Sequence, residues 1–87
     1  MASTSGAFLH NLLAEKLHRK DTGYIDRMRG NEFYAQGEYS CALECYGRAI
    51  ETYPADPASY ANRALVNLKL GNYQDVIEDA GMAIRCD

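Results

Sequence analysis

The feature that most constrains this chain is that it repeats itself. At an offset of 34 residues, Arg29, Gly37, Tyr39, Glu44, Gly47, Ala49 and Ile50 fall on Arg63, Gly71, Tyr73, Glu78, Gly81, Ala83 and Ile84. Average residue frequencies would give roughly two such identities between segments 23–53 and 57–87; the chain has seven. A period of roughly 20 to 50 residues marks a supersecondary unit that cannot bury its apolar face alone, so successive units must stack. The 87 residues then leave room for one domain, near the lower limit at which a single core stabilises a fold. A large enclosed active site does not fit that size.

Periodicity and punctuation say what each unit contains. Apolar residues recur at helical rather than alternating intervals throughout, so the expected class is all-α. Residues 1–6 are small and polar and are expected to fray. From Ala7 to about Lys20, Phe8, Leu9, Leu12, Leu13 and Leu17 follow helical spacing, with Thr4 or Ser5 as N-cap and His18, Arg19 and Lys20 at the negative end of the dipole. Asp21-Thr22-Gly23 is read as a break after this leading amphipathic helix. A second helix is expected from about Tyr24 to Gln36, ended by Gly37, and a third from near Tyr39 to Tyr53. Asp56 is a good N-cap and Pro57 fits the first helical position, where a missing N–H costs nothing. The helix that follows should reach Leu70 and stop at Gly71, and a last one should span about Tyr73 to Arg85. The organisation read from this is a leading segment 1–22, a first repeat 23–56 and a second repeat 57–87. The leading segment is not a third copy, because Glu15 falls where Ala49 and Ala83 stand; a flanking helix that covers one end of the stack is expected.

The repeated residues look like a packing code for two antiparallel helices. Gly30 and Ala64, matched across the repeat, remove bulk where paired helices cross, so that backbones approach closely. Ala42 and Ala49 in the first unit, and Val76, Ala80 and Ala83 in the second, keep the facing helix slim. Phe33, Tyr39, Tyr46 and Ile50 are expected to fill the larger holes, with Tyr73 and Ile84 doing so in the second copy.

Composition narrows the function. A formal charge of −3 denies the chain the positive field that nucleic acid requires. No apolar run approaches the roughly 18 residues of a membrane span, and MASTSGAF lacks a secretory signal's basic flank and apolar core, so a cytoplasmic chain is expected. Three cysteines with no signal point to reduced thiols. Cys41 and Cys45 stand one turn apart but lack further ligands, so they read as small semi-buried thiols, with no metal or other cofactor expected. For catalysis, Ser40 and Ser59 have no placed histidine, and the glycines serve turns and packing. Glu38, Glu44, Asp75, Glu78 and Asp79 read as solvated helix faces. No enzyme is expected.

The residues Gly30-Asn31, Phe33, Gly37, Tyr39, Ala42, Tyr46, Ala49-Ile50 and Pro54 carry a family pattern. It continues in Tyr60, Asn62-Arg63-Ala64, Lys69-Leu70-Gly71-Asn72-Tyr73, Asp79 and Ala83-Ile84. In these the sequence resembles the tetratricopeptide repeat family over residues 23–87. The resemblance implies an α-α superhelix of two helix hairpins, here with an additional N-terminal helix, and a concave face lined by the first helix of each unit that binds extended peptides. Two positions depart from the pattern: Asn67 stands where the family prefers a bulky apolar residue, and Asp26 replaces a common tryptophan, with Tyr60 in the second copy.

The chain is similar in particular to co-chaperones and adaptors that grip the Glu-Glu-Val-Asp tail of the cytosolic heat-shock chaperones in a carboxylate clamp. Carried over residue by residue, the resemblance implies Arg27 as the first cation and Asn31 and Asn62 as the asparagines. Tyr34, Leu65 and Lys69 are candidates to line the same groove. The clamp's further cations would belong to a third unit past Asp87. Carboxylates offer only acceptors, so such a site must supply donors. The alternatives are a generic scaffold in which Asn31 and Asn62 are packing residues and Arg27 a solvated charge, and self-association. Val76, Ile77, Ala80 and Ile84, or the Phe8–Leu17 helix, would supply a homodimer surface.

Overall fold

The computed structural model describes the backbone of residues 2–86 and the side chains of residues 18–86. Its four helices are α1 (Ala2–Ala35), α2 (Tyr39–Thr52), α3 (Pro57–Leu70) and α4 (Tyr73–Arg85). No strand occurs among the described residues. α1 packs antiparallel on α2, α2 on α3 and α3 on α4, with a lighter contact between α1 and α3. This is the succession of a helix-hairpin stack.

Both hairpins turn by the same device. Gly37 and Gly71 take left-handed backbones, φ 77° and 79°, a conformation that glycine adopts without the steric cost of a Cβ. After α1, Glu38 N–H donates to Phe33 C=O at 2.8 Å and Gly37 N–H to Tyr34 C=O at 3.0 Å; after α3, Asn72 N–H donates to Asn67 C=O at 2.9 Å and Gly71 N–H to Leu68 C=O at 3.2 Å. These paired bonds satisfy the carbonyls that a helix end would otherwise leave open. Asp56 caps α3 by accepting from the Ala58 N–H, with Pro57 in the first turn.

The expected break at Asp21-Thr22-Gly23 does not occur. α1 runs unbroken from Ala2 to Ala35, so the leading segment is a continuation of the first repeat helix, and Thr4 and Ser5 lie inside a helix rather than capping one. Two local facts explain this. The Thr22 hydroxyl donates to the His18 carbonyl at 2.9 Å, a bond made within a continuing helix. Gly23 is buried, and a Cβ there would lie 3.2 Å from Tyr53 Cβ and 3.4 Å from the Ala49 carbonyl oxygen. Its lack of a side chain therefore serves close approach of α2, which offsets the roughly 1 kcal/mol that glycine costs inside a helix. The apolar side chains from Phe8 to Leu17 lie outside the described ones.

The core sits between α1, α2 and α3. Ala42, Tyr46 and Val66 form its buried centre, with Phe33, Tyr34, Tyr39 and Leu43 against it. Gly30 is the complement of Tyr46: a Cβ would meet three atoms of that ring at 2.5–2.9 Å. Tyr73 and Ile84 do not fill holes as the packing code suggested; they are 65% and 77% exposed. Their first-repeat equivalents lie on α2, which α3 covers, whereas α4 packs against α3 alone among the described helices. Asp79 also departs from its expected place on a solvated face. It is 5% exposed, because Arg63 and Asn67 reach it from α3.

Candidate peptide-binding site

Helical spacing sets the first shared face. Arg27, Asn31 and Tyr34 follow one another on α1 at steps of four and three, and Asn62, Leu65 and Lys69 do so on α3 at steps of three and four, so each trio lies along one side of its helix. Packing both helices on α2 brings the two sides together. Asn31, Tyr34, Tyr46, Asn62 and Leu65 line a recess of about 140 Å³.

The polar groups in this recess form a directed network. Asn31 Oδ1 accepts from the Tyr46 hydroxyl at 2.5 Å and from Asn62 Nδ2 at 3.0 Å. With its oxygen taken twice, Asn31 presents its Nδ2 donors, which have no acceptor among the described residues. Burial, followed by the neighbouring Tyr34 and Cys45, pushes the Tyr46 phenol above its ordinary range. The hydroxyl therefore stays protonated and donates across the physiological pH range. Leu65 is half exposed beside this network, so the recess offers N–H donors at one side and an apolar wall at the other.

The remaining candidates stand differently. Arg27 is one turn before Asn31, and its Nε lies 3.1 Å from Asp56 Oδ2, with side chains 21% and 19% exposed. The Nε–H is buried without an aligned hydrogen bond, so this contact is an ion pair held by charge. The Arg27 guanidinium also sits 5.4 Å from the centre of the Tyr24 ring, within cation–π range. Arg27 is thus not one more solvated charge, and its partner is Asp56. Asp26 instead faces Arg48 at 3.7 Å. Lys69 is exposed one turn past Leu65 and outside the recess lining. Two contributors were not singled out from the sequence. Tyr46 has the sequence pattern of a core filler, although a buried phenol needs a polar partner and that need is a usable signal. Asp56 was read only as a cap.

A second recess, about 350 Å³, is lined by Leu43, Arg63, Asn67, Asp75, Glu78 and Asp79. Arg63 holds Asp79 in a two-pronged contact, Nε to Oδ2 at 2.9 Å and Nη2 to Oδ1 at 2.8 Å. The Asp79 hydrogen bond raises the Arg63 pKa against the opposing effect of burial. Asn67 Nδ2 donates to Asp79 Oδ2 at 3.4 Å, and Asn72 Nδ2 donates to Asn67 Oδ1 at 3.2 Å. Its two buried or half-buried charges, Arg63 and Asp79, are paired with each other, which makes the cluster a structural joint. The three cysteines are free thiols. Among the described residues no group of three or more His, Cys, Asp or Glu is placed to hold a metal ion, and no described helix is long and apolar enough to cross a membrane.

Two stacked helix hairpins, turned by matching glycine motifs and presenting a groove between their first helices, define a helical-repeat protein of the protein-interaction class. Residues 30–71 match the TPR repeat family model, and the chain belongs to the tetratricopeptide repeat family. It is 39% identical over 62 residues to small glutamine-rich tetratricopeptide repeat-containing protein beta of Homo sapiens, a match covering 69% of this chain and 20% of that protein. It is 33% identical over 73 residues to Hsp70-Hsp90 organizing protein 2 of Arabidopsis thaliana, covering 84% of this chain and 13% of that one. The chain therefore spans about a fifth or less of these curated relatives. Among solved structures, the second TPR of Spaghetti (RPAP3) bound to the HSP90 peptide SRMEEVD superposes with TM-score 0.79 at 33% identity, covering 83% of this chain and 66% of that one.

Proposed function

We propose that the groove between α1 and α3 binds the C-terminal carboxylate of an acidic peptide, the tail of a cytosolic heat-shock chaperone, and that the module works as a non-catalytic cytoplasmic co-chaperone adaptor. The observation that carries this reading is the orientation of Asn31. Its oxygen is held by Tyr46 and Asn62, so its amide donors are left for a ligand that offers only acceptors. Arg27 stands one turn away and supplies positive charge, and the Leu65 wall suits an apolar side chain just before the terminus. The similar RPAP3 module bound to SRMEEVD supports the same choice of ligand.

Arg27, Asn31 and Asn62 provide few contacts, each worth at most roughly 1.5–3 kcal/mol before ordering costs, so the expected Kd is on the order of tens of micromolar. Calorimetry with a peptide ending in Glu-Glu-Val-Asp should show binding that the C-terminal amide lacks. Asn31→Ala should weaken it about tenfold or more. Equal binding of acid and amide, or an Asn31→Ala variant that binds like the parent, would remove this reading.

A second reading rests on a different observation. Tyr73, Ile77 and Ile84 are each about two thirds exposed or more and share one side of α4, a stripe suited to self-association of the chain as a scaffold. Sedimentation across a range of concentrations separates the two.

A further inference from the structure

Asp56 sits where two demands meet. Its Oδ1 accepts from the Ala58 N–H at 3.1 Å and its Oδ2 from the Ser59 hydroxyl at 3.1 Å, which caps α3 and fixes the carboxylate in place. The same Oδ2 lies 3.1 Å from Arg27 Nε. The carboxylate cannot swing away from Arg27 without giving up the cap. The Nη atoms carry the remaining donors of the guanidinium fork, and these have no acceptor among the described residues. Arg27, one turn before Asn31 and beside the residues that line the recess rather than among them, therefore already faces one carboxylate at its Nε.

We infer that Asp56 is a specificity-determining residue of the α1–α3 groove: a built-in carboxylate that competes with the ligand's own carboxylate for Arg27 and so holds down affinity for anionic chain ends. The inference rests on the peptide-binding reading above. Two carboxylates that share one guanidinium repel each other, and this repulsion costs the ligand about three- to tenfold in affinity. Pairing with Asp56 also leaves Arg27 with little net charge for salt to screen, so binding by the parent chain depends weakly on ionic strength. Selection in this groove then comes chiefly from the donors of Asn31 and Asn62.

Asp56→Asn isolates this effect, because asparagine caps a helix about as well as aspartate while carrying no charge. The full chain, Asp56→Asn, Arg27→Gln and the double variant are titrated with the Glu-Glu-Val-Asp peptide as free acid and as amide, at low and at physiological salt. The expected result is three- to tenfold tighter binding of the free acid by Asp56→Asn, unchanged amide binding, a steeper salt dependence, and no gain when Arg27→Gln is also present. Unchanged or weaker acid binding by Asp56→Asn, or a gain that survives Arg27→Gln, overturns the inference while selective binding by the parent leaves the peptide reading standing. If neither the parent nor Asp56→Asn tells acid from amide, both fall. Circular dichroism melts accompany each titration; should Asp56→Asn melt early, Asp56→Ser, which also caps, takes its place with the same expectations.

Discussion

Where α1 carries Phe33 the second hairpin carries Asn67, and where α2 carries Cys45 it carries Asp79. The first hairpin closes on apolar contact: Tyr46 lies over Gly30, with Ala42 and Ala49 fully buried beside it. The second closes on a polar joint in which Arg63, Asn67, Asn72 and Asp79 bond one another. One backbone plan thus tolerates two core chemistries, provided each is complete. An apolar seam is non-directional and gains from burial alone, whereas a buried charge is tolerated only when its partners are in place. The hairpins differ a second time at their outer faces. Tyr39 and Ile50 are half-buried, while their equivalents Tyr73 and Ile84 are exposed.

Five substitutions test this contrast. Asp79→Ala should have the largest effect, a loss of about 2–3 kcal/mol, because it strands Arg63 and Asn67 together; Cys45→Ala, at the matching position of the apolar hairpin, should cost about 1 kcal/mol. Chemical denaturation measures both, and equal costs would show that the polar joint supports nothing an apolar contact would not. Gly30→Ala comes next. Its new Cβ meets the Tyr46 ring, and overpacking of about 1–3 kcal/mol outweighs the roughly 1 kcal/mol gained in helix propensity. Because the displaced ring also carries the hydroxyl that orients Asn31, the same variant should lose peptide affinity; a stabilised Gly30→Ala that still binds would break the account of the first hairpin. The smallest effect belongs to Ile84→Ser, within about 0.5 kcal/mol, against about 1–2 kcal/mol for Ile50→Ser, where burial is lost. If sedimentation shows self-association of the parent, Ile84→Ser should abolish it, whereas a large loss of stability in Ile84→Ser at low concentration would mean that its face is covered within one chain.

Much of this was legible before any coordinates. Gly37, Gly71, Asp56 and Pro57 act through the backbone of their own few residues, and local sequence is enough to place the turns and the cap. Asn31 and Asn62, linked by a resemblance rather than by spacing, bond each other across the two hairpins. Sequence and structure part where one residue type serves two purposes. Gly23 looks like a helix breaker and is a contact point for α2. Asp79 looks like a solvated acid and is buried by residues twelve and sixteen positions away.

The amino-acid order by itself determined the 34-residue period, the helical class and the positions of the turns, because each follows from interactions within about one helical turn or from pattern alone. Only the packed structure decided which copy of a repeated residue is covered, that Asp56 stands against Arg27, and that the Asn31 oxygen is occupied while its nitrogen has no acceptor among the described residues. Those outcomes depend on which surfaces three-dimensional packing brings within a few ångströms, and a residue carries no record of its distant neighbours in its own identity.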